Sequence, residues 1–231
     1  TGGMPRGPVD IVIEENKIVD IKGVGTPILP IDAKNRPTGA TKEIDATGKY
    51  VMPGIIDLHI HTGSETKAPE AEYVYKLWLA HGITTVRGVP SGDLEWSLSE
   101  KKRSAQNKIA APRMISFHRP GSGKEWKDRK ILTPADAKEW VQYADKKGVD
   151  GLKLGSHRPE IMKALLDEAN KLGMGSTAHL AQTGVAPMNA IDAARMGLTG
   201  MTHFYGLFES MYENLDVQPW PVDMNYNNEQ H

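Results

Sequence analysis

The chain has 231 residues, with 28 Lys and Arg against 29 Asp and Glu, so its net charge is -1, and 39% of its residues are hydrophobic. This is the composition of a soluble globular protein, without the basic excess of a nucleic-acid-binding surface or the roughly 18 consecutive apolar residues of a membrane span. There is no cysteine, which excludes disulfides, thiolate metal ligands and cysteine nucleophiles and leaves His, Asp, Glu and Lys as candidate ligands.

The first part of the chain has a β pattern. Residues 9–21 contain two runs rich in β-branched residues around a Glu-Glu-Asn-Lys turn, which predicts a hairpin. Residues 23–42 are rich in Gly, Pro, Lys and Asn and lack periodicity, which predicts a surface loop before a short strand at 43–45. We therefore predict a small β element at the start of the chain.

From residue 51 onward, apolar strands alternate with helical stretches, which predicts repeated βα units. The predicted strands are 55–61, 83–89, 113–118, 151–155, 175–180 and 200–205, and the predicted helices are 71–81, 134–147, 159–172 and 186–196. Thr133 and Pro134 are typical of a helix N-cap and of the first helical position. A glycine follows each helix where a left-handed C-terminal cap is expected: Gly82, Gly148, Gly173 and Gly197.

Repeated βα units form either a doubly wound open sheet or a (β/α)8 TIM-type barrel. No Gly-x-Gly-x-x-Gly follows the first strand of this series, which weakens the doubly wound, dinucleotide-binding alternative. A complete barrel needs eight strands in about 250 residues, whereas only six strands fit here. We therefore predict an α/β fold with an incomplete barrel over 53–231, and expect the complete gene product to be longer.

The strongest motif is Met-Pro-Gly-Ile-Ile-Asp-Leu-His-Ile-His, which ends in His59 and His61. Alternate residues of a strand share one face, so both imidazoles are expected at the C-terminal end of the first barrel strand, where barrel enzymes place their sites. Two such imidazoles could hold one metal ion. Taken alone, the pair fits two ordinary histidines on a half-buried strand equally well.

Three later residues strengthen the metal hypothesis. Lys153 lies in the middle of a small, apolar strand, where a charged amine is costly to bury without compensation. His179 and His203 each end a predicted strand, at intervals that place them in successive βα units. All five side chains are therefore expected to converge at one barrel mouth.

These motifs resemble the metal-dependent amidohydrolase superfamily, and the resemblance covers nearly the whole chain. Pro-Gly-Ile-Ile-Asp-Leu-His-Ile-His is similar to that family's strand-one motif. Gly-Leu-Lys-Leu and the two later histidines are similar to the branch of this family whose strand-four lysine is carbamylated. Within that branch, the sequence pattern is most similar to imidazolonepropionase-like proteins and Xaa-Pro dipeptidases. The resemblance implies that residues 1–52 are part of a small β-sandwich domain beside the barrel.

The resemblance also implies a binuclear site. His59 and His61 would hold one divalent metal ion, His179 and His203 the other, and carbamylated Lys153 would bridge them. Zinc is the default for such ligands, and manganese, cobalt or iron would also fit. A metal-bridging hydroxide would then attack the carbonyl carbon of a small amide or dipeptide substrate, and its C–N bond would be cleaved.

One part of the family pattern is missing. The family uses an aspartate at the end of strand eight as ligand and general base, and no residue of this chain matches it. Asp216 and Asp223 lie in an irregular tail and are not assigned this role. We expect residues 1–231 alone to have little or no hydrolase turnover, even with zinc.

The remaining candidates are weaker. His118 and Tyr205 are candidate substrate contacts near strand ends, Asp57 is a candidate to orient a ligand histidine, and Arg87 is either functional or simply paired. Alternative functions are an esterase, lactonase or phosphotriesterase with the same site, or a catalytically silent metal-binding barrel. We expect no nucleic-acid or membrane partner, and a homo-oligomer stays open. No signal peptide is visible, but the chain starts at Thr1 without a methionine, as expected after processing or truncation, so the compartment stays open between cytoplasm, periplasm and exterior.

Overall fold

The computed structural model describes residues 3–61, 71–88, 93–127, 129–180, 188–207 and 209–211. The chain divides into two compact units, Thr1–Met52 and Pro53–His231. The start of the predicted helix at 186–196 lies outside the described residues, as do Asp216 and Asp223.

The first unit contains the predicted hairpin. Strands β1 (Val9–Glu14) and β2 (Lys17–Gly23) pair antiparallel. The expected strand at 43–45 is not formed, because the Asp45 carboxylate accepts the Thr47 backbone N–H at 2.9 Å and makes a local turn instead. The described residues of this unit form a single two-stranded sheet, so the β-sandwich stays a prediction.

The second unit is built on a parallel sheet of five strands whose spatial order follows their order in the chain. These strands are β3 (Ile55–Ile60), β4 (Ile83–Gly88), β5 (Arg113–His118), β6 (Gly151–Leu154) and β7 (Gly175–Ala178). The sheet is curled into a half-barrel, which confirms the α/β class and is consistent with part of a TIM-like barrel.

The sixth predicted strand, 200–205, is reduced to a single parallel bridge between Ala178 and Met201. The Thr202 backbone N–H donates to the Ala178 carbonyl at 2.8 Å. At the next residue the chain turns, since His203 adopts a left-handed conformation with φ 65°. Strand pairing therefore stops one residue before the histidine.

In the described ranges, five helices connect or follow these strands: α1 (Ala71–Ala80), α2 (Leu94–Ala105), α3 (Pro134–Lys147), α4 (Pro159–Lys171) and α5 (Ala190–Arg195). Thr133, directly before Pro134, is the N-cap of α3, as the sequence predicts. It forms a reciprocal capping box with Asp136 in the first turn. The four predicted capping glycines all have positive φ. In the part of the chain that the structure describes, no helix is long and apolar enough to cross a membrane.

The main hydrophobic core lies between the outer face of the sheet and helices α3 and α4. Leu152 and Leu154 of β6 pack there with Trp140 of α3 and Leu165 of α4. All four side chains are fully or almost fully buried. Because side chains alternate along a strand, Gly151 and Lys153 face the opposite side, toward the inside of the half-barrel.

The inner face contains a tight contact that gives a stability prediction. A Cβ on Gly151 would lie 2.6 Å from the Gly175 carbonyl oxygen and inside the Phe117 ring. Gly151→Ala is therefore expected to lower the free energy of unfolding by about 1–3 kcal/mol, through overpacking. Urea denaturation of both proteins measures the difference.

Gly155→Ala is the matched control, because a Cβ at Gly155 would meet no atom within 4 Å. It should leave the denaturation midpoint close to that of the wild type. Equal midpoints for Gly151→Ala and the control would contradict this account of the inner face.

Candidate functional site

The inner face of the half-barrel carries the candidate site at the C-terminal ends of the strands. Phe117 of β5 covers Gly151 and Gly175, which places these odd-numbered residues on the inner face. Lys153 pairs in register with Thr177, so it lies one layer above the Phe117 contact. His179 follows β7 directly and continues the same alternation.

The four predicted metal-binding histidines form a continuous row of rings. The ring centroids of His61 and His59 are 4.9 Å apart, those of His59 and His203 are 5.3 Å apart, and those of His203 and His179 are 4.7 Å apart. The Nε2 atoms of His59 and His61 face each other at 3.1 Å. Residues from distant parts of the sequence are thus brought together at one end of the half-barrel.

Lys153 lies beside this row and is only 2% exposed. Its Nζ donates a hydrogen bond of 2.5 Å to the Thr202 hydroxyl, and no described carboxylate accepts from it. Burial, together with the positive charges of Arg119 and Arg87, lowers the pKa of Lys153 to about 8. The amine is therefore easier to deprotonate than an exposed lysine.

Three of the histidines, His59, His61 and His179, are shifted toward their neutral form. Burial lowers the pKa of His59 to about 4, and the nearby Lys153 charge acts in the same direction. Burial, again the largest cause, lowers the pKa of His61 and of His179. Neutral imidazole is the form that binds metal ions.

Three observations test whether these residues fit a divalent metal ion. The donor set is imidazole nitrogen, which suits zinc and related ions. Two nitrogens bound to one tetrahedral zinc ion lie about 3.3 Å apart, close to the 3.1 Å between the Nε2 atoms of His59 and His61. His59 Nδ1 is buried and has no hydrogen-bond partner among the described residues. The residues present therefore fit the ion.

The residues fit a metal ion by the type of their donor atoms and by their closeness to one another. In the described ranges, no three His, Asp or Glu side chains already surround a common ion position. The histidine side chains would need to rotate to complete a coordination sphere.

Asp57 and Arg87 act on the backbone of β3. The Asp57 carboxylate accepts the His59 backbone N–H at 3.0 Å, which places its hydrogen bond on the main chain of His59. Arg87 Nε donates to the Leu58 carbonyl at 2.7 Å, and its guanidinium lies over the Phe117 ring at 5.1 Å. Both residues therefore help to fix the strand that carries the His-x-His pair.

His118 lies away from the histidine row. It is 1% exposed, and its Nε2 lies 2.6 Å from the Ser97 hydroxyl of α2. Burial lowers the pKa of His118 to about 4, while the Asp93 charge partly opposes the shift. The structure therefore places this candidate substrate contact in the packing between β5 and α2.

Tyr205, in contrast, lies at the row. Its ring stacks on His179 with a centroid distance of 4.9 Å and an interplanar angle of 18°. This stacking fixes the plane of the His179 ring.

Sequence reasoning missed two residues of the site, Thr202 and Arg119. Thr202 accepts the hydrogen bond from Lys153, and the Arg119 charge lowers the pKa of Lys153, His61 and His179. The available signals were the polar residue directly before His203 and the cation directly after β5.

Known proteins resemble this chain in sequence and in structure. Adenine deaminase 2 of Desulfotalea psychrophila is 26% identical over 227 residues, covering 91% of this chain and 38% of the relative. Dihydroorotase of Streptococcus pneumoniae serotype 4 is 26% identical over 183 residues, covering 76% of this chain and 39% of the relative. The chain thus spans about two fifths of the length of these curated relatives.

Among solved structures, a Xaa-Pro dipeptidase with bound methionine in its active site matches with a TM-score of 0.57 and 20% identity. The match covers 84% of this chain and 56% of the dipeptidase, and shows a shared fold. No family model matches the chain. The deaminase and dihydroorotase homologues and the dipeptidase neighbour confirm the resemblance of this chain to the metal-dependent amidohydrolase superfamily.

Proposed function

We propose that the protein containing this chain is a metal-dependent hydrolase that cleaves an amide or peptide-like C–N bond in a small molecule. The observation that carries the proposal is the convergence of four histidines and a buried lysine at one end of the half-barrel. The names of the relatives, adenine deaminase and dihydroorotase, and of the structural neighbour, Xaa-Pro dipeptidase, support this reaction class.

The proposed setting is a complete TIM-type barrel with a small β-sandwich beside it. The five parallel strands and the bridge at Met201 support the barrel. The β1–β2 hairpin supports the sandwich. In this setting residues 1–52 and 53–231 are parts of two domains.

We assign two divalent ions to the site, with zinc as the default. His59 and His61 would hold one ion and His179 and His203 the other, with carbamylated Lys153 between them. When bound, the ions would polarise a substrate carbonyl and activate water. The lowered pKa values of His59, His61 and His179 support this assignment, because the rings bind without first losing a proton.

Charge around Lys153 supports the carbamate. Arg87 and Arg119 both act on the amine, and no acidic group is among the causes of its lowered pKa. A protonated Lys153 would add a buried positive charge near Arg87 and Arg119, at an electrostatic cost. Conversion to a carbamate replaces that positive charge with a negative charge, which the two arginines and the metal ions would favour.

The last two parts of the proposal concern Tyr205 and the general base. Tyr205 stacks on His179, and we assign it to contact the substrate beside the histidine row. No described residue matches the aspartate that the resemblance gives as the proton acceptor. We therefore attribute turnover to the protein containing this chain and expect little or none from residues 1–231 alone.

Hydrolysis of a substrate panel tests the proposed reaction. The zinc-loaded full-length protein that contains this chain is incubated with acyl-dipeptides and cyclic amides on one side and with lactones and phosphotriesters on the other. We expect turnover of at least one C–N substrate, abolished by a chelator and restored by zinc. Turnover confined to the lactones or phosphotriesters would contradict the C–N assignment.

A further inference from the structure

Thr202 forms two hydrogen bonds at the floor of the candidate site. It is 6% exposed and lies directly before His203. Its hydroxyl accepts from Lys153 Nζ at 2.5 Å and donates to the Ala178 carbonyl at 3.1 Å. Since a hydroxyl has one hydrogen, the oxygen faces Lys153 as an acceptor only.

The backbone holds this oxygen in place. The Thr202 N–H donates to the same Ala178 carbonyl at 2.8 Å, and the Ala178 N–H donates to the Gly200 carbonyl at 3.1 Å. The side chain and main chain of Thr202 are thus both anchored to the end of β7. The acceptor is therefore fixed relative to His179, which follows Ala178.

We propose that Thr202 is a positioning residue for the carbamylation of Lys153, holding the lysine nitrogen so that the added carboxylate faces the histidine row. This inference rests on the proposed function, because it assumes the carbamate. It adds a residue that controls how much of the carbamate forms.

Carbamylation of Lys153 is compatible with a single hydrogen-bond acceptor, the Thr202 hydroxyl oxygen. The neutral amine has two hydrogens and a lone pair: one hydrogen is donated to Thr202, and the lone pair attacks the carbon of dissolved carbon dioxide. An N–C bond forms, one C–O π pair moves to oxygen, and the other amine hydrogen leaves as a proton to solvent. The carbamate nitrogen keeps one N–H, so its hydrogen bond to Thr202 is present before and after the reaction.

Thr177 provides a matched control. It is level with Lys153 in the β6–β7 register and is fully buried. Its hydroxyl has no hydrogen-bond partner among the described residues. Thr177→Val therefore makes the same chemical change as Thr202→Val without removing a described hydrogen bond.

The experiment measures carbamate directly. Zinc-loaded protein is equilibrated with limiting 13C-labelled bicarbonate, the carbamate carbon is quantified by 13C NMR, and Lys153→Met identifies its signal. Thr202→Val is expected to lower the ratio of carbamate to neutral amine by about two- to fivefold, because the amide-like N–H of the carbamate donates a stronger hydrogen bond to Thr202 than the N–H of the neutral amine does. Thr202→Ser should retain most of the signal, and Thr177→Val should match the wild type.

The outcomes separate the inference from the proposed function. A wild-type signal with the same occupancy in Thr202→Val would overturn the positioning role and leave the carbamate intact. No signal in the wild type would overturn both. Circular dichroism checks folding, and Thr202→Ala, which carries the same expectation, replaces Thr202→Val if the valine variant does not fold.

Discussion

Lys153→Met is expected to lower kcat/KM for the C–N substrate by about 10³-fold or more, equivalent to at least about 4 kcal/mol of transition-state stabilisation. Methionine is long and apolar, so it fills the buried space but cannot form a carbamate. Because the substitution also removes a costly buried amine, the free energy of unfolding should stay the same or increase. Steady-state kinetics and urea denaturation of the same preparation measure the two effects.

Lys163→Met is the matched control, since Lys163 lies on α4 and pairs with Asp167 at 2.9 Å, outside the site. It should leave kcat/KM within about twofold of the wild type. For Lys153→Ala, propionate should restore part of the activity, because its carboxylate can occupy the space of the carbamate. Full activity in Lys153→Met would exclude a role for this amine.

His179→Asn is expected to lower the bound metal from about two ions to about one per chain. The remaining ion would be held by His59 on β3 and by His61, which directly follows β3, because their Nε2 atoms face each other independently of His179. Loss of one protein ligand should raise the Kd of the affected site by at least about 100-fold. Removing a residue that only hydrogen-bonds to a metal ligand already weakens metal binding by about 10- to 100-fold, and removing the ligand itself should cost at least as much. Elemental analysis after dialysis against limiting zinc measures the stoichiometry.

His81→Asn is the control for this measurement. His81 is exposed and its Nδ1 contacts the Leu77 carbonyl at 2.8 Å, at the end of α1. The variant should bind as much zinc as the wild type. An unchanged stoichiometry in His179→Asn would contradict the two-ion assignment.

Local signals predicted much of the half-barrel. Thr133 and Pro134 identified the start of α3, and the capping glycines marked where helices end, because caps depend on a few neighbouring residues. Helix α2 was missed, since its sequence is mostly polar and its start depends on Asp93 accepting the Glu95 and Trp96 N–H groups. The strand at 200–205 was predicted too long because the turn at His203 leaves no clear sequence signal.

The sequence also predicted only part of the candidate site. Convergence of His59, Lys153 and His179 followed from strand alternation and the repeated βα spacing. The side of the sheet that His118 faces depends on the packing of β5 against α2, which alternation alone does not decide. The contact of Thr202 with Lys153 joins residues 49 positions apart, so only the fold reveals it.

Anomalous diffraction from crystals of the zinc-loaded protein tests the central claim most directly. We expect two zinc peaks, one at His59 and His61 and one at His179 and His203, with continuous density from Lys153 Nζ reaching both. Peaks remote from these histidines, or a bare Lys153 amine with no metal beside it, would contradict the assignment of this site.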